Sequence, residues 1–218
     1  MSTSSDQIHQ RAAVLFSYRH IINYVDKEKI REFFDRCAPS WDEELVVDEQ
    51  VINAILDNAG VEKDKDVLDV ACGTGVMIDF YLKRNVRSVT AIDFSEKMYK
   101  IASSKFHQDN VRIICKDVEE FDEGIRYDCI IVYNAFPHFV DSEKLISHLS
   151  SLLKKDGILT IAHGMSRAKL NYHHHNISEE VRHDLIEADE LAKIISDYLE
   201  ITTIISNDRM YQVSGKKR

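Results

Sequence analysis

The chain is short of the residues that punctuate loops, with seven glycines and two prolines in 218 residues, which excludes a collagen-like or low-complexity architecture. It has no C-x-x-C pair. Cys37, Cys72, Cys115 and Cys129 are widely spaced and three of them fall inside apolar runs, which suits reduced, buried thiols better than a disulfide framework. Nowhere do about 18 apolar residues run together, and Met1 to Asp6 lack the basic and apolar regions of a secretory leader. A soluble, cytoplasmic protein without membrane contact is expected. Positive charge is scarce too: 28 Lys and Arg stand against 37 Asp and Glu, a net charge of −9. That balance repels a phosphate backbone unless a basic face is segregated. Basic residues gather only in the tail Lys216-Lys217-Arg218, so no nucleic-acid partner is expected.

What is present is a core. With 44% hydrophobic residues, the chain supports one sizeable domain and is too short for two comfortable ones. Past residue 60, apolar runs alternate with helical periodicity, the pattern of a parallel sheet covered by helices. Strands are predicted over 66–71, 88–93, 111–115, 127–133 and 158–162, with helices over 76–84, 95–104 and 143–154 between them. Lys155-Asp156-Gly157 should stop the last of these helices. A further helix over 190–199 precedes two β-rich stretches, 200–205 and 210–213, separated by the turn Ser206-Asn207-Asp208-Arg209. The expected fold class is therefore α/β: a doubly wound, Rossmann-like sheet of seven strands, mostly parallel, with the last strand antiparallel. Helices over 7–25, 27–37 and 46–59 lie ahead of it. The division expected is a helical extension or lid over 1–45 and one globular unit over 46–218. The stripe Ile8, Ala12, Leu15, Tyr18, Ile22 and Val25 could pack on the core, on a ligand or on a second subunit, so a homodimer through this helix is one arrangement open to it.

The stretch "VLDVACGTG", residues 67 to 75, runs a strand into Cys72-Gly73-Thr74-Gly75 and then into a helix. Backbone N–H groups and a helix N-terminus then sit at the carboxyl edge of a parallel sheet, where open α/β sheets bind ligands. Glycine lets a ligand approach the backbone there. Asp93, 20 residues after Gly73, ends the second strand, where a carboxylate can accept hydrogen bonds from ribose hydroxyls. The position three after Gly75 is Ile78 rather than the glycine of a dinucleotide clamp. Asp117, just past the third strand, could receive an adenine amino group, with the Val118 N–H beside it. An adenosine carrying a sulfonium and an amino acid fits this set better than a nicotinamide dinucleotide, the ligand of the reductase alternative. Taken singly, each of these residues is as readily a turn, a helix cap or a strand terminator.

The chain resembles the class I S-adenosylmethionine-dependent methyltransferases, in particular the small-molecule branch related to ubiquinone and menaquinone biosynthesis. "VLDVACGTG" is similar to the family's first motif, with Asp69 at its acidic position, and Ala71 stands where many members have a first glycine. "AIDFSEKM" resembles the second motif, with Asp93 and Phe94; "CKDVEEF" the third, with Asp117 and Val118; "YDCIIVYNAF" the fourth, with Tyr133. "FFDRCAPSWDEE" looks like the segment that folds over the cofactor in many relatives, which would bring Phe34, Trp41 and Asp42 near the methionine end. The resemblance implies S-adenosylmethionine as cofactor, held by Trp41, Asp69, Ala71, Gly73, Gly75, Asp93, Phe94, Asp117, Val118 and Tyr133. It implies methyl transfer to a small-molecule acceptor. The alternative from another class is a sensor or interaction module that binds S-adenosylmethionine without turnover.

Methyl transfer from a sulfonium is an in-line displacement, so holding donor and acceptor in line and excluding water are the main tasks. At the acceptor end, His138 follows the fourth strand and His163 closes the fifth, which should be its neighbour. If residues 166–172 make about two helical turns, Arg167, Asn171 and His174 fall on one face at i, i+4 and i+7. The expected acceptor site is then His138, His163 and His174 as catalytic groups, with Phe136, Arg167 and Asn171 touching substrate. Three roles are open for the histidines: a general base, ligands of a divalent transition metal such as Zn²⁺, Fe²⁺ or Ni²⁺, or a solvated loop at 173–175 with His163 a satisfied strand end. Arg167 would suit an anionic acceptor. Asn134-Ala135-Phe136 resembles the N-P-P-[YF] motif of nucleobase amino methylation without its prolines, which weakens a nucleic-acid acceptor further.

Overall fold

The structure is a computed structural model that describes residues 26–174 and 181–218, with backbone only at 173 and 174. The apolar stripe over 7–25 and the histidine at 175 lie outside the described residues. So do the side chains of His173 and His174.

Strands β1 (Asp66–Val70), β2 (Ser88–Asp93), β3 (Val111–Cys115), β4 (Tyr127–Tyr133), β5 (Leu153–His163), β6 (Glu200–Ser206) and β7 (Tyr211–Lys216) form one sheet in the order β3-β2-β1-β4-β5-β7-β6. The first five pair in parallel, and β7 runs antiparallel to both β5 and β6. Both faces are covered, which is why the central strands read as unbroken apolar runs such as Cys129-Ile130-Ile131-Val132, all buried. The pleat sends Leu68, Val70, Ile130 and Val132 into one half of the core and Val67, Cys129 and Ile131 into the other.

Helices before and between the strands are set by caps and by period. Helix α1 (Lys27–Cys37) starts on Asp26, whose carboxylate accepts from the Glu28 N–H. A 3₁₀ turn containing Pro39 and the single turn α2 (Trp41–Glu44) complete a strap over the sheet's carboxyl edge. Helix α3 (Glu49–Asn58) is capped by Asp48 and buries Val51, Ile52, Ile55 and Leu56, each contributing about 1.5–3 kcal/mol when withdrawn from water. Helices α4 (Ile78–Lys83), α5 (Glu96–Lys105), α6 (Ser142–Leu152), α7 (Arg167–His174) and α8 (Ala188–Ser196) follow. Ser95 caps α5 and Asp141 caps α6.

The boundary between α6 and β5 departs furthest from the sequence reading. Helix α6 ends at Leu152, and Lys155-Asp156-Gly157 lies inside an irregular start of β5 rather than in a helix stop. The register with β4 jumps between Tyr127 and Cys129, and Asp156 takes φ +63°. β7 also inserts between β5 and β6, so the carboxy-terminal hairpin docks by its second strand. No described helix is long and apolar enough to cross a membrane.

Candidate cofactor and acceptor site

The strand order reverses direction between β1 and β4, and there the carboxyl ends of β1, β2, β3 and β4 open a cleft of about 960 Å³, counted out to its solvent mouth. Open α/β sheets bind ligands in such a crevice. Its floor is the chain just beyond each strand: Ala71, Cys72 and Gly73 after β1, Asp93 and Phe94 at β2, Lys116 to Glu119 after β3, and Tyr133 to Ala135 at β4. Its roof is the strap, through Lys27, Ile30, Phe34, Trp41 and Leu45.

The bend after β1 is built from left-handed backbone. Ala71, Gly73 and Gly75 take φ of +53°, +55° and +88°, a region glycine enters at no cost and alanine only under strain. A Cβ on Gly73 would point at the Trp41 indole nitrogen, 3.9 Å away, across the space a ligand would use. Gly75 does not line the cleft; a Cβ there would come within 2.7 Å of the Phe106 ring. Its glycine serves helix packing.

Asp93 is 6% exposed and holds the bend in place: Gly73 N–H donates to its Oδ2 at 2.8 Å and Ser95 N–H to its Oδ1 at 2.9 Å. Burial pushes its carboxyl up to about 6 against the pull of those two donors, and the Asp35 charge adds to the rise. Asp69 sits 1% exposed in β1, away from the cleft wall, with burial pushing its carboxyl up to about 8 against the Tyr81 hydroxyl. It is thus a mostly neutral core group at pH 7 and does not meet a ligand directly. Asp117 caps a 3₁₀ turn over Val118–Glu120, accepting from the Glu119 N–H. It also accepts from Lys27 Nζ at 2.6 Å, while Lys27 reaches Glu119 at 2.9 Å.

Polar ties fasten the strap down. Ser95 Oγ donates to Asp35 at 2.6 Å, and the Lys97 N–H donates to the same carboxylate. Thr74 Oγ1 donates to Asp42 at 2.5 Å, and Lys105 reaches Asp42 at 2.9 Å. Each tie runs from the strap to an element that frames the cleft. Phe34 packs edge-on to both Trp41 (5.8 Å between centroids) and His138 (4.9 Å), making an apolar corner completed by Phe139 and Val140.

Of the expected acceptor histidines, the structure brings His138 to the cleft wall and His163 elsewhere. His138 lines the cleft, and its Nδ1 lies 2.8 Å from the Val181 carbonyl, which can only accept, so Nδ1 carries a proton. His163 is wholly buried against Tyr211 and is absent from the cleft wall. The side chain of His174 lies outside the described residues. Arg167 gives its Nε–H to the Leu185 carbonyl at 2.7 Å and pairs with Glu187 at 2.7 Å, while Asn171 exchanges hydrogen bonds with Leu185. Arg167 and Asn171 thus both meet the chain's own 185–187 segment. Phe136 is buried in the core, and Phe139 takes the cleft position instead. Among the described residues no group of three His, Cys, Asp or Glu side chains is placed to hold a metal ion. His163, one of the three donors expected for a metal, lies away from the cleft wall.

The residues present do fit an adenosyl ligand: a backbone cradle that a side chain would fill, a buried carboxylate one strand over, and polar groups at the β3 end. Residues 67–157 match a family model described as a methyltransferase domain. The match spans the strands and bends that build the cleft, and over them the chain is similar to methyltransferase domains.

The chain is 32% identical over 142 residues to a malonyl-[acyl-carrier protein] O-methyltransferase of Acetivibrio thermocellus, covering 63% of this chain and 50% of that protein. It is 26% identical over 159 residues to a ubiquinone/menaquinone biosynthesis C-methyltransferase UbiE of Campylobacter jejuni, covering 66% of each. The chain spans about half the length of the malonyl-[acyl-carrier protein] relatives it matches. Among solved structures, the N-methyltransferase NodS of Bradyrhizobium japonicum in complex with S-adenosyl-L-homocysteine superposes with a TM-score of 0.67 at 11% identity, covering 87% of this chain and 97% of that one. Magnesium protoporphyrin IX methyltransferase of Synechocystis with bound S-adenosylhomocysteine gives 0.62 at 17%, covering 88% and 99%. These structural likenesses carry the fold.

Proposed function

We propose that the chain is an S-adenosylmethionine-dependent methyltransferase acting on a small-molecule acceptor. The observation that carries this reading is the cleft at the sheet's switch point, where the left-handed bend at 71–75 is pinned by a buried Asp93 beneath a strap roofed by Trp41. The named relatives act on different acceptors, so they support the transfer and leave the acceptor open.

In this reading the backbone of Ala71 and Gly73 receives the amino-acid end of the cofactor, Asp93 accepts from the ribose hydroxyls, and Asp117 and Val118 lie at the base. Trp41, Phe94 and Tyr133 complete the enclosure. The cofactor supplies a methyl carbon on a sulfonium: the acceptor's electron pair forms the new bond to that carbon as sulfur keeps the pair of the broken one. The protein's share is alignment and dryness. Phe34, Leu45, Phe139 and Val140 give the acceptor an apolar seat and keep water from the methyl group. His138, its ring held by the Nδ1 contact to the Val181 carbonyl, stands at the cleft wall beside this seat, where an imidazole serves to orient the acceptor or to exchange its proton.

The test is release of S-adenosylhomocysteine from S-adenosylmethionine in the presence of the small-molecule fraction of a cell extract. Turnover that depends on that fraction is the expected result. Tight binding of S-adenosylhomocysteine with no turnover would favour a sensor.

A further inference from the structure

We infer that Tyr133 binds the methyl acceptor through its hydroxyl, which donates to an oxygen lone pair at the acceptor's reacting end, and that Asn134 and Gly164 are the positioning residues that hold it there. This rests on the methyltransferase reading above and names the substrate class of the same site. β4 ends on Tyr133, which pairs with Ala162 of β5. Asn134 then takes φ +55°, while its N–H still donates to the Ala162 carbonyl at 2.9 Å. Asparagine enters that left-handed region more readily than most residues with a side chain. The turn places Asn134 in the cleft wall, and its Oδ1 accepts from the Gly164 N–H at 2.9 Å, just past the end of β5. With Oδ1 so used, Nδ2 is the end of the amide left for the Tyr133 hydroxyl. Gly164 makes the room, since a Cβ there would collide with that hydroxyl's oxygen. Two ends of the sheet are thus shaped around one phenol.

The phenol stands at the acceptor end. Base and ribose are assigned to the ends of β3 and β2, and β5 lies on the far side of β1 and β4 from them. Tyr133 lines the cleft and is 8% exposed. The hydroxyls of Tyr81, Tyr127 and Tyr211 are sealed in the core without a partner; that of Tyr133 is not among them. Burial pushes it up to about 12 against the Asn134 amide, whose contact favours the ionised form as a donor's does. At neutral pH the group therefore keeps its proton, and with Asn134 on its accepting side it offers a ligand an O–H donor rather than a base. A hydroxyl, carbonyl or carboxylate oxygen matches that donor. An amine does not, because its single lone pair is the one that attacks the methyl carbon.

The test uses the full chain, S-adenosylmethionine isotopically labelled in its methyl group, and the small-molecule fraction of a cell extract as acceptor source. The labelled product, identified by NMR and mass spectrometry, is expected to carry its new methyl on an oxygen or on an atom whose neighbour bears one. Tyr133→Phe keeps the ring that encloses the cofactor and removes the hydroxyl alone. It should leave S-adenosylhomocysteine affinity within about twofold and raise the dose of the fraction needed for half-maximal turnover by about tenfold or more, the scale of a hydrogen bond to a ligand oxygen. Gly164→Ala should raise the dose by displacing the hydroxyl, and in the Tyr133→Phe background it should add little, because the group it displaces is gone. If Gly164→Ala fails to fold by circular dichroism, Asn134→Gly, which suits φ +55° and deletes the amide, takes its place and should show the same non-additivity. A new methyl remote from any oxygen, an unchanged dose in Tyr133→Phe, an equal loss of S-adenosylhomocysteine affinity in that variant, or additive losses in the double variant overturns the inference and leaves the methyltransferase reading standing. A folded wild type that shows no turnover overturns both.

Discussion

Asp93 offers the sharpest perturbation, because pH alone can apply it. Its carboxyl titrates at about 6 in the folded protein against an ordinary 3.8, so between these values the native state holds a proton that the unfolded state has released. Stability from this group is therefore greatest at low pH and falls as pH rises from about 4 to 6, by about 3 kcal/mol for a shift of roughly two units. The loss is complete above the folded value. Ribose hydroxyls donate to the ionised form and favour it, so binding S-adenosylhomocysteine should release a proton near pH 6. At pH 5 the carboxyl is about nine-tenths protonated, and affinity should be roughly tenfold weaker than at pH 7. Asp93→Asn should abolish that pH dependence. It should also weaken binding by about 1.5–3 kcal/mol, since an amide cannot accept from the Gly73 and Ser95 N–H groups and two ribose hydroxyls as a carboxylate can. Isothermal titration calorimetry in buffers of different ionisation enthalpy reads both the affinity and the proton. An affinity that is flat from pH 5 to 7.5, or a variant with the wild-type pH profile, would refute the assignment.

Ala71→Gly should raise the unfolding midpoint by about 2–4 °C, because φ +53° strains a residue with a Cβ by about 1 kcal/mol; an unchanged or lower midpoint in differential scanning calorimetry contradicts this. Arg167→Ala combined with Asn171→Ala should cost about 1–3 kcal/mol of stability through loss of the bonds to Leu185 while leaving S-adenosylhomocysteine affinity unchanged. Full stability with lost turnover would return these side chains to the acceptor. His138→Ala should keep cofactor affinity within about twofold and reduce turnover by roughly 10²–10⁴, the range of general-acid–base contributions; equal loss of both would make it a structural residue.

The cofactor half of the site was legible in the sequence because local chemistry and the sheet's topology act together there. A strand end, a glycine bend and a carboxylate at the next strand end are forced to one edge once the strands are parallel, so Gly73, Asp93 and Asp117 could be placed before any coordinates. The acceptor half depends on what lies across a helix face, which periodicity does not tell. Arg167 and Asn171 do share a face, but that face meets Leu185, and nothing in their spacing distinguishes the two outcomes. His163 follows a run of buried β5 residues and is buried like them, so its position at a strand's carboxyl end was a misleading guide. Phe136 lies in the core and Phe139 at the cleft wall, with the turn over Phe136–His138 carrying the chain from one to the other. The meeting of Lys27 and Glu119 at the cleft wall joins residues 92 apart, and no local spacing signals it.

Trp41 is the chain's single tryptophan and stands in the cleft wall opposite Gly73. Its emission therefore reports on the site itself. Titration with S-adenosylhomocysteine should give a saturable change in tryptophan fluorescence at one ligand per chain, and NAD⁺ at the same concentrations should give no saturable change. An emission spectrum unmoved by S-adenosylhomocysteine, in protein that calorimetry also finds unliganded, would contradict the claim that this cleft receives an adenosyl sulfonium.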